Sequence, residues 1–314
     1  MADRVNVDNF VRAESDRMFA ALSQQAGGVN VLHHHREPAS IDEQPVIRQN
    51  RDTLYSSAIV DISQGATLTV PDAGDRYLSV MVVNNDHYIN NVIHTPGVHD
   101  LTVDRFDTDY VLVAARTLVD PGDPADLAEV NDLQDQIGLD AGSDRPFVMP
   151  AYDRASFDST RDALLSLSRN LAGFDRAFGS RQAVDPVRHL VGTASGWGGL
   201  PDREAFYLNV DLGLPVGEYR LTVRDVPVDG FWSISVYNAA GYFEPNDRDA
   251  YSVNSVTATP DDDGTITVHF GGCADDRPNC LPIMDGWNYA VRLYRPRPEI
   301  LDGDWTFPDA TPVK

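Results

Sequence analysis

Short alternating runs of apolar and polar residues dominate the chain, and they fall into two blocks. In the first block, residues 57–62, 66–70, 76–83 and 109–117 are rich in Val, Ile, Leu and Tyr, and Pro71-Asp72-Ala73-Gly74-Asp75 marks a turn. In the second, residues 205–211, 218–224, 230–237, 250–257, 264–270 and 287–294 repeat the pattern, with Asp261-Asp262-Asp263-Gly264 as a hairpin turn. Alternation with period two puts one set of side chains inward and the other outward, which predicts antiparallel strands.

Helical spacing appears between and before these blocks. Asp8 is placed to cap a helix over about 9–23, with Phe10, Met18 and Leu22 on its apolar side and Gly27-Gly28 at its end. Asp123-Pro124 reads as the cap and first position of a second helix carrying Leu127, Val130, Leu133 and Ile137, closed by Gly138. A third, about 154–171, carries Phe157, Leu164, Leu165, Leu167 and Leu171. The order predicts a mainly β protein of two β-sandwiches rather than a parallel α/β sheet.

Composition narrows the classes. Of 314 residues, 42% are apolar, as in an ordinary packed protein. The formal net charge is -23 and nearly all cations are Arg, a balance that repels nucleic acid phosphates and anionic lipid surfaces. No nucleic acid or membrane partner is expected. No run approaches the eighteen or so apolar residues of a membrane span. The start Met1-Ala2-Asp3-Arg4-Val5-Asn6 lacks the basic and apolar regions of a signal peptide, so a cytoplasmic location is expected unless an export segment has been removed. On that expectation Cys273 and Cys280, with six residues between them, read as reduced thiols, and a disulfide closing their loop is the alternative.

One stretch carries more polarity than a strand entrance needs: Asn50-Arg51-Asp52-Thr53-Leu54-Tyr55-Ser56. Asp52 with Arg51 and Tyr55 can form an acid/base and anion-orienting group, because a buried Asp can act as a general base and an Arg can fork a carboxylate. Asn50 suits a turn or a donor to a ligand. The competing reading is a satisfied polar network that ties the segment down. Six of the eight histidines lie within residues 33–99. His34 and His87 are the candidate ligands of a divalent metal, with Asp52 nearby, although no diagnostic metal spacing is present. His87 is also a candidate proton-transfer group. Arg36, His189 and Trp197 are candidate substrate contacts. The glycine-rich stretch 192–199 reads as a lid over a cleft or as a close-packed crossing. It lacks the Lys of a phosphate loop and the spacing of a nucleophile elbow, and no dinucleotide fingerprint follows a strand, so no nucleotide cofactor is expected. Trp232, Tyr237, Trp287, Tyr289 and Tyr294 read as core and edge packing.

The Asn50–Ser56 stretch, together with Val29-Asn30 and His34-x-Arg36, resembles the signature of the bacterial domain of unknown function 1254, over about 25–140. Phe231-Trp232-Ser233-Ile234-Ser235-Val236-Tyr237, Ala250-Tyr251-Ser252, Asn279-Cys280-Leu281-Pro282 and Val291-Arg292-Leu293-Tyr294-Arg295-Pro296 resemble the companion domain of unknown function 1214, over about 200–308. The chain looks like a compact branch of that pairing. The resemblance implies two jelly-roll-like sandwiches with a helical insertion and no established activity. The expected organisation is a first sandwich over 1–150, a helical and glycine-rich bridge over 151–199 and a second sandwich over 200–314. The leading functional expectation is a small-molecule enzyme using acid/base chemistry of lyase, isomerase or hydrolase type, with a cleft near Asn50–Ser56. A non-catalytic module binding a small ligand or carbohydrate is the alternative, and an assembly protein, including a homo-oligomer, is the third.

Overall fold

The computed structural model describes residues 2–44, 46–169, 171, 173–273 and 277–313. The chain is mainly β and divides into two compact units. The first comprises 1–36, 54–119 and 124–202, and the second comprises 37–53, 120–123 and 203–314. The helical stretch after residue 150 thus belongs to the first unit, while residues 37–53 leave their sequence neighbours for the second.

In unit 1 the elements are α1 (Phe10–Ala26), β1 (His33–His34), β2 (Thr53–Asp61), β3 (Ala66–Val70), β4 (Leu78–Asn84), β5 (Ile89–Ile93), β6 (Gly97–Leu101), α2 (Val103–Phe106), β7 (Tyr110–Leu118), α3 (Pro124–Asp135), β8 (Gly138–Ala141), α4 (Arg154–Ser168) and α5 (Pro186–Gly196). A five-stranded sheet in the order β1-β2-β7-β4-β5 and a three-stranded sheet in the order β6-β3-β8 share one apolar core. Alternate residues supply it: Ala58, Val60 and Ile62 from β2 and its end, Leu78, Val80 and Val82 from β4, and Ala66, Leu68 and Val70 from β3. A second cluster joins α1, α4 and α5 through Phe10, Ala13, Phe157, Leu164, Val191 and Ala194.

Several local expectations change. The N-cap of α1 is Asn9, not Asp8, and its side chain accepts from the Asn6 N–H rather than from the helix. Gly27 ends the helix at φ 87°, as a left-handed C-cap that glycine adopts without strain. α4 ends at Ser168, and residue 170 of the expected helix lies outside the described residues. Part of the glycine-rich bridge is the helix α5. Asp185 caps it, accepting from the Val187 and Arg188 N–H groups, and Pro186 takes the first turn. This is the Asp-Pro signal that also opens α3, and the glycines downstream obscured it. They serve close packing: a Cβ on Gly192 would lie 2.8 Å from Ala177 Cβ, and one on Gly199 would lie 2.3 Å from the Phe178 ring.

In unit 2 the elements are β9 (Ala205–Val210), β10 (Tyr219–Val223), β11 (Trp232–Tyr237), β12 (Ser252–Asn254), β13 (Ile266–Phe270), β14 (Cys280–Leu281), β15 (Asn288–Tyr294), α6 (Pro298–Leu301) and β16 (Thr311–Pro312). Two four-stranded sheets, β14-β13-β10-β16 and β12-β11-β15-β9, pack around one core. Pairing is antiparallel except for the short β13–β14 contact. Trp232, Ile234 and Val236 of β11 and Tyr289, Val291 and Leu293 of β15 point into that core. Asp261-Asp262-Asp263-Gly264 forms the expected turn, closed by the Asp261 N–H to the Thr265 carbonyl. Cys273 and Cys280 form a disulfide, which corrects the expectation of reduced thiols. Among the described residues no helix is long and apolar enough to cross a membrane.

Candidate functional site

The opposite face of the β12-β11-β15-β9 sheet follows from the same alternation. If Trp232, Ile234 and Val236 point into the core, Ser233, Ser235 and Tyr237 must point away from it. The register sets Asn254, Ser233 and Arg292 side by side across three strands, with Ser252 and Ser235 in the next row. A polar strand face normally meets water, yet every residue of β11 and β15 is buried. Residues 48–52 lie against this face within unit 2 and close it off.

The contacts that hold them are specific. Arg292 donates to Ser235 Oγ (2.8 Å), Tyr237 Oη (2.6 Å) and the carbonyls of Arg48 and Gln49 (2.9 and 3.1 Å). The Tyr237 hydroxyl donates to the Gln49 carbonyl (2.7 Å). Asn50 Nδ2 donates to Tyr294 Oη (2.9 Å) and Thr53 Oγ1 (3.2 Å), and Asn50 Oδ1 accepts from the Asp52 N–H. Asn50 therefore acts as a turn former and an anchor together. Tyr237 and Tyr294 are buried, as expected, but they carry phenols into a polar cluster rather than into the apolar core.

Asp52 sits in this cluster with no solvent exposure. Burial pushes its carboxyl above the usual carboxylate range, against the attraction of Arg292 and the nearby Ser233, Ser252 and Asn254. Those three side chains lie close enough to favour the ionised form, but neither carboxylate oxygen accepts a hydrogen bond of ordinary geometry. Arg48 Nη1 and Gln49 Oε1 are buried beside it without a hydrogen-bond partner. Burial alone would disfavour the Arg292 cation, and the Tyr237 and Tyr294 hydroxyls with Asp52 more than offset it. Arg51 is turned elsewhere in unit 2, donating to the Ala39 carbonyl with its guanidinium over the Tyr251 ring (5.3 Å).

The remaining candidates lie in unit 1 and hold structure there. His87 is fully buried, at φ 63°. Its Nε2 accepts from the Gly198 N–H (2.9 Å), and its Nδ1 meets Thr193 Oγ1 (2.8 Å), whose own hydroxyl donates to the His189 carbonyl. This network assigns the neutral Nδ1–H tautomer, and burial holds the ring well below the ordinary histidine range. Both nitrogens are thus engaged, and His87 ties Thr193 to Gly198. It also lies in a ladder of flat groups: Trp197 stacks on His87 (5.2 Å), His87 on His189 (5.3 Å), His189 on Tyr88 (4.7 Å), and Arg181 covers Tyr88 (4.4 Å). Trp197 Nε1 donates to Ser15 Oγ, and His189 Nδ1 donates to the Ala177 carbonyl. Asp86 pairs with Arg12 (2.5 Å) and not with its neighbour His87.

His34 meets Ser56 Oγ through Nδ1 (2.8 Å), and burial, then Arg36, lowers its pKa. Arg36 clamps α3 by donating to the Asn131 carbonyl, Gln134 Oε1 and Asp135. The Tyr55 ring lies beneath the Arg116 guanidinium (5.4 Å). Among the described residues no group of three or more His, Cys, Asp or Glu side chains is arranged to hold a metal ion. Arg292, Ser233 and Asn254 were missed as site residues. The small polar residues between aromatics in Trp232-Ser233-Ile234-Ser235 were the available signal.

No curated protein matches the chain. It is similar to the VPA0106 protein of Vibrio parahaemolyticus, whose crystal structure superposes with a TM-score of 0.78 at 18% identity, covering 98% of each chain. An uncharacterized protein from Burkholderia cenocepacia superposes with a TM-score of 0.53 at 16% identity, over 92% of this chain and 85% of that one. At such identities these likenesses speak to fold alone. Two family models match, each described as a protein of unknown function: DUF1254 over residues 29–101 and DUF1214 over residues 215–298. Asp52 lies in the first match and Arg292 in the second, and the chain carries the paired domains DUF1254 and DUF1214.

Proposed function

We propose that this chain is an enzyme acting on a small polar or carboxylate-bearing molecule by acid/base chemistry, with Asp52 as the proton-transferring group. The observation that carries this reading is a carboxyl group wholly buried in unit 2, its pKa raised by that burial even though Arg292 and the neighbouring Ser233, Ser252 and Asn254 side chains pull it down. A carboxyl that holds its proton more tightly than usual can deliver it to a substrate and recover it. Ser233, Ser252 and Asn254 would orient a polar ligand beside it. Arg292 would act through its charge and by holding residues 48 and 49, since its donors are committed to the protein. The role expected of Arg51 as a substrate clamp passes to this neighbourhood, and His87 takes no part. Access requires residues 48–52 to lift from the sheet face, a local opening of a few hydrogen bonds. The Cys273–Cys280 disulfide favours an oxidising compartment over the cytoplasm.

The test is a nuclear magnetic resonance screen of pooled small carboxylates, hydroxy acids and sugars with wild type and Asp52→Asn, both checked for folding. Consumption of one compound by wild type and its loss in Asp52→Asn supports the reading. Consumption that survives the substitution removes Asp52 from the chemistry. Saturable binding without consumption overturns the enzyme in favour of a ligand-binding module, for which the same buried polar groups would serve.

A further inference from the structure

Helix α1 buries three consecutive polar residues, Glu14, Ser15 and Asp16, which an amphipathic helix does not ask for. Successive helical side chains diverge around the axis, so each needs its own partner. Ser15 accepts from Trp197. Asp16 accepts from Tyr152 Oη (2.6 Å) and Asn85 Nδ2 (2.9 Å), which fixes the Tyr152 ring. Glu14 is forked by Arg17 Nε and Nη2 (2.9 and 2.7 Å) and approached by Arg161 Nε at 3.5 Å.

These anchors shape a depression in unit 1 of about 540 Å³, walled by Tyr152, Phe157 and Met149 and rimmed by Arg17, Arg154 and Arg161. That volume is within the range of small-ligand clefts, about 300–1,000 Å³. Its charge opposes that of the chain: three guanidiniums and one carboxylate, that of Asp158, line it, in a protein of net charge -23. The three cations are not equally committed. Arg17 is spent on Glu14. Arg154 is 93% exposed and touches Asp158 only at 3.4 Å, a surface pair of little strength. Arg161 reaches both Glu14 and the Ala194 carbonyl at 3.5 Å, the limit of a hydrogen bond.

We propose that this depression binds a small amphipathic carboxylate, its acid group received by Arg154 and Arg161 and its apolar body lying on Met149, Tyr152 and Phe157. Charge complementarity selects the anion, and the aromatic wall selects an apolar tail over a fully polar one. The site is independent of Asp52, which belongs to unit 2.

Calorimetric titration of the full chain with octanoate tests this, with octanol and octylammonium as probes of equal length and different charge. Saturable octanoate binding is expected, at least about tenfold tighter than octanol, with no octylammonium binding. Arg154→Glu is expected to weaken octanoate about tenfold or more without moving the thermal midpoint, since this side chain is exposed. Arg161→Gln is expected to do the same, and Asp52→Asn to leave it unchanged. Equal binding of octanol and octanoate, octanoate binding indifferent to both arginine substitutions, or absence of saturable binding overturns the proposal.

Discussion

Asp52 and Arg292 are opposite charges enclosed in one polar cluster, yet the guanidinium spends its hydrogen bonds on Ser235, Tyr237 and two backbone carbonyls, while the carboxyl lies beside Ser233, Ser252 and Asn254 instead. The attraction between them acts through space, and it does not offset the burial of Asp52. The two residues therefore differ in what their loss should do.

For Asp52 the sign follows from its raised pKa. The folded state holds the proton more tightly than the unfolded chain, whose Asp titrates near 3.9. Its contribution to stability is thus fully present below the unfolded value and is lost as pH rises toward the folded one. Urea unfolding of wild type and Asp52→Asn from pH 3.5 to 8 should show the stability difference drifting in favour of the variant as pH rises. A difference independent of pH would mean that Asp52 is not protonated preferentially in the fold. Arg292→Leu, by contrast, strands the Arg48 carbonyl and the Ser235 hydroxyl, leaves Tyr237 and Gln49 only each other, and removes the charge facing Asp52, so it should cost about 3–5 kcal/mol, more as pH rises.

His87 gives the opposite sign. Its folded pKa lies well below 6.5, so its contribution is present above the unfolded value and is lost as pH falls through it. Nitrogen chemical shifts should keep Nε2 unprotonated from pH 8 to 5, and His87→Phe should flatten the acid limb of the stability curve while lowering stability at neutral pH. A ring that titrates normally near 6.5 would contradict the assigned network.

Gly199 tests the close-packed reading of the glycine-rich stretch. A Cβ there would sit 2.3 Å from the Phe178 ring, so Gly199→Ala must displace that ring or the backbone. Destabilisation of about 1–3 kcal/mol is expected by thermal or urea unfolding. Gly122→Ala, whose nearest neighbour would be 3.4 Å away, is the control and should be near neutral.

The Cys273–Cys280 disulfide closes a loop of eight residues. Loop-closure entropy predicts that the double Cys→Ser variant loses about 2.5 kcal/mol. Reductant should lower the unfolding midpoint of wild type toward that of the variant and leave the variant unmoved.

What the sequence determined by itself was the mainly β order of elements and the family. Alternation with period two is a local signal, and it located β3, β7, β10, β11 and β15 to within a residue or two, whereas β2 begins at Thr53, four residues before the expected run and inside the polar stretch. The short pieces escaped because pairs such as His33–His34, Cys280–Leu281 and Thr311–Pro312 acquire strand character only from the partner beside them. The Asp185-Pro186 signal for α5 is present in the sequence, but Gly192 and Gly196 dilute the helical pattern that follows it.

The site divided in the same way. Asn50 and Asp52 stood out because their polarity was out of place at a strand entrance. Their partner Arg292 did not, because an arginine on an alternating strand reads as an outward-facing, solvated residue. Only tertiary structure covers that outward face with residues 48–52, some 240 positions away, and so turns a solvated cation into a buried one. The same long-range packing sends His87 into unit 1, to Thr193 and Gly198. Period and composition report which side of a strand a residue faces, and what covers that side is decided by chain segments that no local pattern can name.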